Sequence, residues 1–415
     1  MVGERELARE LTLLEAVTLG IGGIIGGGLY SVTGIVAGIA GPAVILSFIL
    51  CAVTALVVGY NYAKLGTKFP SSGASFEFVA RAFPKTDLVR AVIGYSLWLG
   101  YIVACSFYSV SFGLYAHSFL PSVPAKAFSL VLIVIFLCLN MAGVKKTGRV
   151  ENIIVLTQVT ILTLFVLSSA PSIDPENFDP FFPNGYMSIF IAGSIIFIGF
   201  EGFEIICTAG EELKNPEKNL GRAIYLAITI ISLLYTSVVV VSVGVVPYNV
   251  LGASTTPLAD VAGAALGRYG RIALGLGALL ATSSAFNAAL FGSSRLAYAM
   301  SREGMMPRRF SSLSKKTRAP IYSIVAAGVL ITGMTILGVV KELSALASLI
   351  FLLVFFTVSL SNLLLRKVTG SSIIGPLAAM LLCLYFLSLV ESIVWISFAL
   401  LILGAMSAYF LVKRK

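Results

Sequence analysis

The chain has 415 residues, 58% of them hydrophobic and 12% charged, with a mean hydropathy of +0.98. A soluble domain carries about 45–50% apolar and about 25% charged residues, so this composition excludes one and points to a polytopic membrane protein. The net charge of +10 suggests a nucleic-acid partner only until the basic residues are sorted by loop.

A bilayer core of about 30 Å takes about 20 apolar residues per helical span. Apolar runs between charged or proline-marked breaks predict twelve spans, at residues 12–39, 43–63, 87–119, 125–143, 150–171, 186–210, 220–246, 271–299, 321–340, 343–365, 372–390 and 392–412. With the N-terminus inside, the inner segments hold Arg5, Arg9, Lys64, Lys68, Arg81, Lys85, Arg90, Lys145, Lys146, Arg149, Lys214, Lys218, Arg222, the six basic residues from Arg302 to Arg318, Arg366, Lys367, Lys413, Arg414 and Lys415. The outer loops hold only Lys126, Arg268, Arg271 and Lys341, and Arg295 stays inside a span. This asymmetry predicts a multi-pass protein of the cell membrane with both termini cytoplasmic, and it accounts for the basicity without nucleic acid. The chain is expected to be a single transmembrane domain over 1–415, with the stretches near 64–90 and 300–320 as connectors. No obligate protein partner is evident.

The N-terminal MVGERELARELTLLEAV runs into the first span without an AxA-like cleavage site, and reads as a retained helix and not a cleaved leader. The first span then carries GIGGIIGGGLYSV, residues 20–32. Gly22 with Gly26 and Gly23 with Gly27 fit small-xxx-small helix packing. Against packing alone stands the run Gly26, Gly27, Gly28, since each glycine weakens a helix by about 1 kcal/mol. The alternative is a broken helix, tolerated at that depth only where the freed backbone lines a cavity or meets a ligand.

A matching break is expected wherever an inverted repeat places one. The sixth span supplies it in SIIFIGFEGFEIICTAGEE, with Gly199 and Gly202 flanking Glu201 and Glu204 beyond. A carboxylate halfway through a span costs several kcal/mol unless it faces protein or water, so Glu201 is a candidate for function, or else for capping a half-helix. The cysteines Cys51, Cys105, Cys138, Cys207 and Cys383 all fall in spans, with no CxxC pair and no neighbouring His, and read as small core residues. His117, at the outer end of the third span, reads as an interfacial residue.

Beyond the two glycine-rich cores, three stretches carry a family likeness. YAKLGTKFPSSGASFEFVARAF (62–83), GEELKNPEKNLGRAI (210–224) and SSRLAYAMSREGMMPRRF (293–310) resemble signatures of the amino acid-polyamine-organocation transporter superfamily, including its archaeal and bacterial amino acid permeases. Ala74 and Gly221 depart from the pattern, at loop positions only. The resemblance implies an all-α, LeuT-type fold: five plus five inverted-repeat helices (12–171 and 186–365), helices 1 and 6 broken, and two C-terminal helices (372–412).

It also implies a site. The substrate α-carboxylate would lie on the backbone amides of Gly26, Gly27 and Gly28, where a half-helix N-terminus offers free N–H groups and a positive dipole end. The α-ammonium would meet carbonyls of Ile24 and Ile198 and the charge of Glu201. Glu204 matches an acidic position in the first turn of the second half-helix. Tyr101, Cys105 and Tyr108 recur at helical spacing and would line the pocket, with Phe200 supplying an aromatic gate that Ile198 does not. Where several proton-coupled relatives carry a lysine, this chain has Gln158, which does not titrate. Opposite it, Thr282, Ser283 and Ser284 offer oxygens of the kind a hard cation accepts, which makes sodium an alternative to the proton.

The expected function is secondary active transport of amino acids by alternating access, as cation symport or exchange. A polyamine or other organic-amine transporter is the alternative within the fold, and an ion channel is the alternative outside it. No GxxxxGK[ST] loop is present to use ATP, and no His/Asp/Glu cluster suggests an enzyme or a cofactor.

Overall fold

The computed structural model describes residues 11–70, 73–142, 148–210, 212–317 and 319–413. Arg5, Arg9, Lys145, Lys146, Arg318, Arg414 and Lys415, together with the start of the N-terminal stretch, Ser72 and Glu211, lie outside the described residues.

Thr12 and Glu15 form a capping box that starts α1 (Leu13–Ile24): Glu15 Oε2 accepts from the Thr12 N–H at 2.8 Å, and Thr12 Oγ1 accepts from the Glu15 N–H at 3.3 Å. A π-helical turn at Gly28–Val32 leads into α2 (Thr33–Ala40), and Gly41 (φ 65°) with Pro42 turns the chain into α3 (Val44–Lys68). Then come α4 (Ala74–Ala82), α5 (Asp87–Phe119), α6 (Ala125–Met141) and α7 (Gly148–Ser169). The second half runs through α8 (Met187–Ile196), a 3-10 turn at Phe197–Phe200, α9 (Ile205–Thr208), α10 (Pro216–Val245), α11 (Tyr248–Ala253) and α12 (Pro257–Arg302), which bends at Gly267. It ends with α13 (Ile321–Leu337), α14 (Val340–Leu364), α15 (Arg366–Thr369), α16 (Ile374–Ser388) and α17 (Ser392–Lys413).

Every predicted span has a helix or a broken helix at its place, with ends shifted by a few residues. α3 runs five residues past its expected end, and the part of α12 beyond the kink at Gly267 begins within a few residues of 271, the part before it being a further helical segment. Among the described residues eight stretches are long and apolar enough to cross a bilayer, the first of which, 13–68, holds both α1–α2 and α3. Three more, α6, α13 and α16, are apolar but span only 17, 17 and 15 residues. Apolar side chains cover the outside: Leu156 and Leu167 of α7 are 58% and 66% exposed, and Leu400 of α17 is 66% exposed. Such surface is stable only against hydrocarbon, so the chain is an integral membrane protein.

Two connectors hold more order than the sequence suggests. α4 sits inside 64–90 and buries Phe76, Phe78 and Val79, while α11 packs on α2. Both helices are too short to produce a span-length apolar run. A β-bridge ties the start of α1 to the segment after α9, with the Leu11 N–H donating to Glu212 O at 2.9 Å and the Lys214 N–H to Leu11 O at 2.8 Å. Four cysteines are buried as expected, but Cys138 is exposed on the outer face of α6. His117 Nδ1 donates to Val123 O at 2.8 Å at the end of α5, which holds the ring at the helix terminus.

Candidate functional site

Both readings of the first glycine run hold, at different residues. Gly20 and Gly22 are packing positions, since a Cβ at Gly22 would sit 2.6 Å from Val155 of α7 and one at Gly20 would press on Ile206 and Ala227. Beyond them the helix stops. Ile25 is extended (φ −71°, ψ 103°), and regular structure resumes at Gly28.

The second break has the same character. α8 tightens into the 3-10 turn, Glu201 is extended (φ −75°, ψ 165°), and Gly202 takes φ 105°, a conformation side chains resist. Ser348 of α14 clamps the turn: its hydroxyl accepts from the Ile198 N–H at 2.9 Å and donates to Ile195 O at 3.0 Å. The two breaks cross backbone to backbone. A Cβ at Gly23 would lie 2.6 Å from Gly202 O, and one at Gly28 would lie 2.5 Å from the Gly199 Cα. A Cβ at Gly202 would likewise lie 2.2 Å from Gly23 O, so glycine at 23, 28 and 202 is what allows the approach.

The crossing gathers most of the expected site. Tyr108 and Ala285 close on Gly26, and Phe107, Tyr108 and Ser111 close on Gly27. Glu201 is 4% exposed and its Oε2 is buried without a hydrogen-bond partner. Tyr101, Cys105 and Tyr108 of α5 lie within electrostatic reach of its carboxyl. Glu204 is also buried. Its Oε2 accepts from the Gly202 N–H at 2.8 Å, which shapes the break, and its Oε1 is unpartnered. Among the described residues neither carboxyl forms an ion pair with a Lys or Arg.

Some expected residues already have partners. The Ile24 carbonyl accepts from the Tyr235 hydroxyl at 3.1 Å, leaving one lone pair for a ligand, and the Ile198 carbonyl accepts from the Glu201 N–H at 3.4 Å. Cys105 donates its thiol to Phe286 O at 3.6 Å. Phe200 is 1% exposed and packs edge-on to Phe48 and Tyr235, with ring centroids 6.0 and 5.6 Å away. Tyr101 stacks edge-on to Phe351 at 5.9 Å. Replacing Tyr235 with Phe removes a buried hydroxyl–carbonyl bond, so unfolding is expected to become easier by about 1 kcal/mol with substrate affinity retained. A thermal melt identical to wild type would show that the bond contributes nothing.

The coupling-ion residues lie where α7 packs on α1 and α12. Gln158 is 1% exposed with Nε2 unpartnered, while Thr282 commits its proton to Ala278 O at 2.7 Å within its own helix. Ser283 and Ser284 are half-buried. Sequence reasoning missed Tyr30, Ser111, Tyr235 and Ser348. The hydroxyls of Tyr30 and Ser111 are buried and unpartnered, the former beside Gly277 and the latter beside Gly27. Nothing in an apolar run distinguishes such a Ser or Tyr from a packing residue. One turn beyond the first break, a groove of about 450 Å³ opens at the end away from the basic loops, lined by Ser31, Ile35, Val110 and Leu114 among others.

Residues 11–413 match the profile of the family described as amino acid permease. The chain is 29% identical to a branched-chain amino acid permease of Bacillus subtilis (strain 168), over all of this chain and 95% of that protein. It is 30% identical to a methylthioribose transporter of the same organism, over 99% of this chain and 95% of that protein. With a vacuolar cationic amino acid transporter of Arabidopsis thaliana it shares 28% identity, over 88% of this chain and 64% of that protein. A match across nearly the whole length, on a helical fold whose two glycine breaks meet, shows that the chain belongs to the amino acid permease family of the amino acid-polyamine-organocation superfamily, as a membrane transporter and not an enzyme.

Proposed function

We propose that the chain is a secondary active transporter that carries an amino acid across the cell membrane by alternating access, in symport with a cation or by exchange. Its helices are read as twelve spans, two inverted sets of five (12–171 and 186–365) and two additional helices, with both termini cytoplasmic. The substrate carboxylate sits on the amides of Gly26, Gly27 and Gly28, with the Ser111 hydroxyl as a further donor. The ammonium sits against the remaining lone pair of Ile24 O, the Ile198 carbonyl and the carboxylate of Glu201.

The observation that carries this reading is Glu201: a buried carboxyl at a helix break, one oxygen without a partner, and no cation among the described residues paired with it. A buried charge left unpaired costs several kcal/mol, so the site favours a ligand that brings a positive group. The names of two relatives, an amino acid permease and a cationic amino acid transporter, support the same substrate class. For coupling, Gln158, Thr282, Ser283 and Ser284 form the region to test, with sodium and the proton as the candidates.

Uptake into proteoliposomes tests the whole reading. Saturable, stereoselective uptake of one or a few L-amino acids, inhibited by others and accelerated by either a sodium or a proton gradient, is expected. Ohmic single-channel currents, or uptake confined to polyamines, would replace it. A thermal-shift screen against the twenty amino acids and common polyamines identifies the ligand beforehand, since ligand at a hundred times its Kd adds about 2.7 kcal/mol of apparent stability.

A further inference from the structure

We propose a second binding site on this protein, away from the helix breaks: a headgroup pocket for a monoanionic glycerophospholipid, in the groove between α3 and α10. The groove has a volume of about 490 Å³ and is lined by Tyr60, Lys64, Lys68, Glu217, Tyr225 and Thr369, with Ala63, Thr67 and Gly221 between them. Two ammonium groups and one carboxylate leave it a net single positive charge, which one phosphodiester neutralises. Lys64 donates to Gly370 O at 3.3 Å and keeps two protons for phosphate oxygens. Glu217 can only accept, which selects a headgroup that also carries hydroxyl or ammonium donors.

The walls are built. Asn362 Nδ2 donates to Asn61 Oδ1 at 2.8 Å, the Thr369 hydroxyl donates to Asn362 Oδ1 at 2.9 Å, and the Tyr60 hydroxyl accepts from the Ser372 N–H at 2.9 Å. These bonds tie α3, α14 and α15 together beneath the groove.

What identifies the occupant as a lipid is the surface continuing from it. At helical spacing from Tyr60, α3 exposes Val53, Ile49 and Leu46. This apolar strip on α3 runs from the lysine-bearing end of the helix along the outer surface, where acyl chains lie. Tyr60 and Tyr225 stand at the junction of polar groove and apolar strip, where amphipathic rings are favoured. Basic pockets between helices at the lysine-rich end are suited to anionic headgroups. This inference rests on the membrane embedding of the chain and on no assignment at the helix breaks.

Binding to the detergent-solubilised full chain tests it without any transport measurement, so failure here is separable from failure of the transport reading. Dioctanoyl phosphatidylglycerol is expected to bind and raise the melting temperature, whereas dioctanoyl phosphatidylcholine and glycerol 3-phosphate at equal concentration are not. The double variant Lys64→Gln/Lys68→Gln is expected to bind phosphatidylglycerol roughly thirtyfold more weakly, and Arg308→Gln/Arg309→Gln to bind like wild type. Thr67→Trp, which fills the groove without removing a charge, is expected to abolish binding and serves if the double variant does not fold. Equal stabilisation by phosphatidylcholine, equal stabilisation by glycerol 3-phosphate, unchanged binding by both groove variants, or equal loss in the Arg308/Arg309 variant would each overturn the proposal.

Discussion

Glu201→Gln is expected to lower substrate affinity by roughly tenfold to a hundredfold while leaving the ligand-free protein as stable as wild type or more so. The first effect follows because a hydrogen bond to a charged group contributes about 1.5–3 kcal/mol and the amide loses that charge. The second follows because the carboxyl oxygen has no partner in the fold, and a neutral amide costs less to bury than a carboxylate. The opposite signs distinguish a ligand-binding role from a structural one. Melting of the ligand-free variant, followed by a titration with the substrate found by thermal shift, measures both. Glu204→Gln is the internal comparison: its side-chain oxygen can still accept from the Gly202 N–H, so the break should survive and affinity should change little. Equal affinity in wild type and Glu201→Gln would remove this residue from the site.

Gly202→Ala is expected to destabilise the protein by about 3 kcal/mol and to abolish binding. A positive-φ residue with a side chain costs on the order of 1–3 kcal/mol, and overpacking against a neighbour adds about 1–3 kcal/mol. Here the neighbour is backbone: the added Cβ would collide with the Gly23 carbonyl and lie 2.9 Å from the Ile24 nitrogen. Gly185, with φ 76° and nothing within 4 Å of its would-be Cβ, isolates the two causes. Gly185→Ala should show the conformational cost alone, about 1 kcal/mol. Comparable melting temperatures for the two variants would mean that the crossing of the breaks contributes no constraint.

The helices and both breaks were readable because each leaves a mark in one dimension: span length in apolar runs, and broken helix in clustered glycine beside a carboxylate. That Gly26 to Gly28 interrupt a helix while Gly20 and Gly22 pack one was not separable, because both uses demand the same small residue. The partners of the site were illegible for a different reason. Tyr235 reaches Ile24 across 211 residues and Ser348 reaches Ile198 across 150, and no local pattern announces such pairs. The Thr282 hydroxyl donates to Ala278 O within its own helix and keeps its lone pairs, so the bond neither removes it from nor places it in an ion site. The connectors concealed α4 and α11, whose buried faces depend on neighbours that a window of residues does not contain.

The contact of Gly23 with Gly202, and of Gly28 with Gly199, has a mechanical consequence. Side chains between two segments act as a compliant cushion, since rotamers adjust when one segment shifts. Peptide touching peptide has no such give, so a tilt of α1 is delivered undiminished to the segment before α9, and the reverse. A shift of either segment by a fraction of an ångström therefore has to be followed by the other.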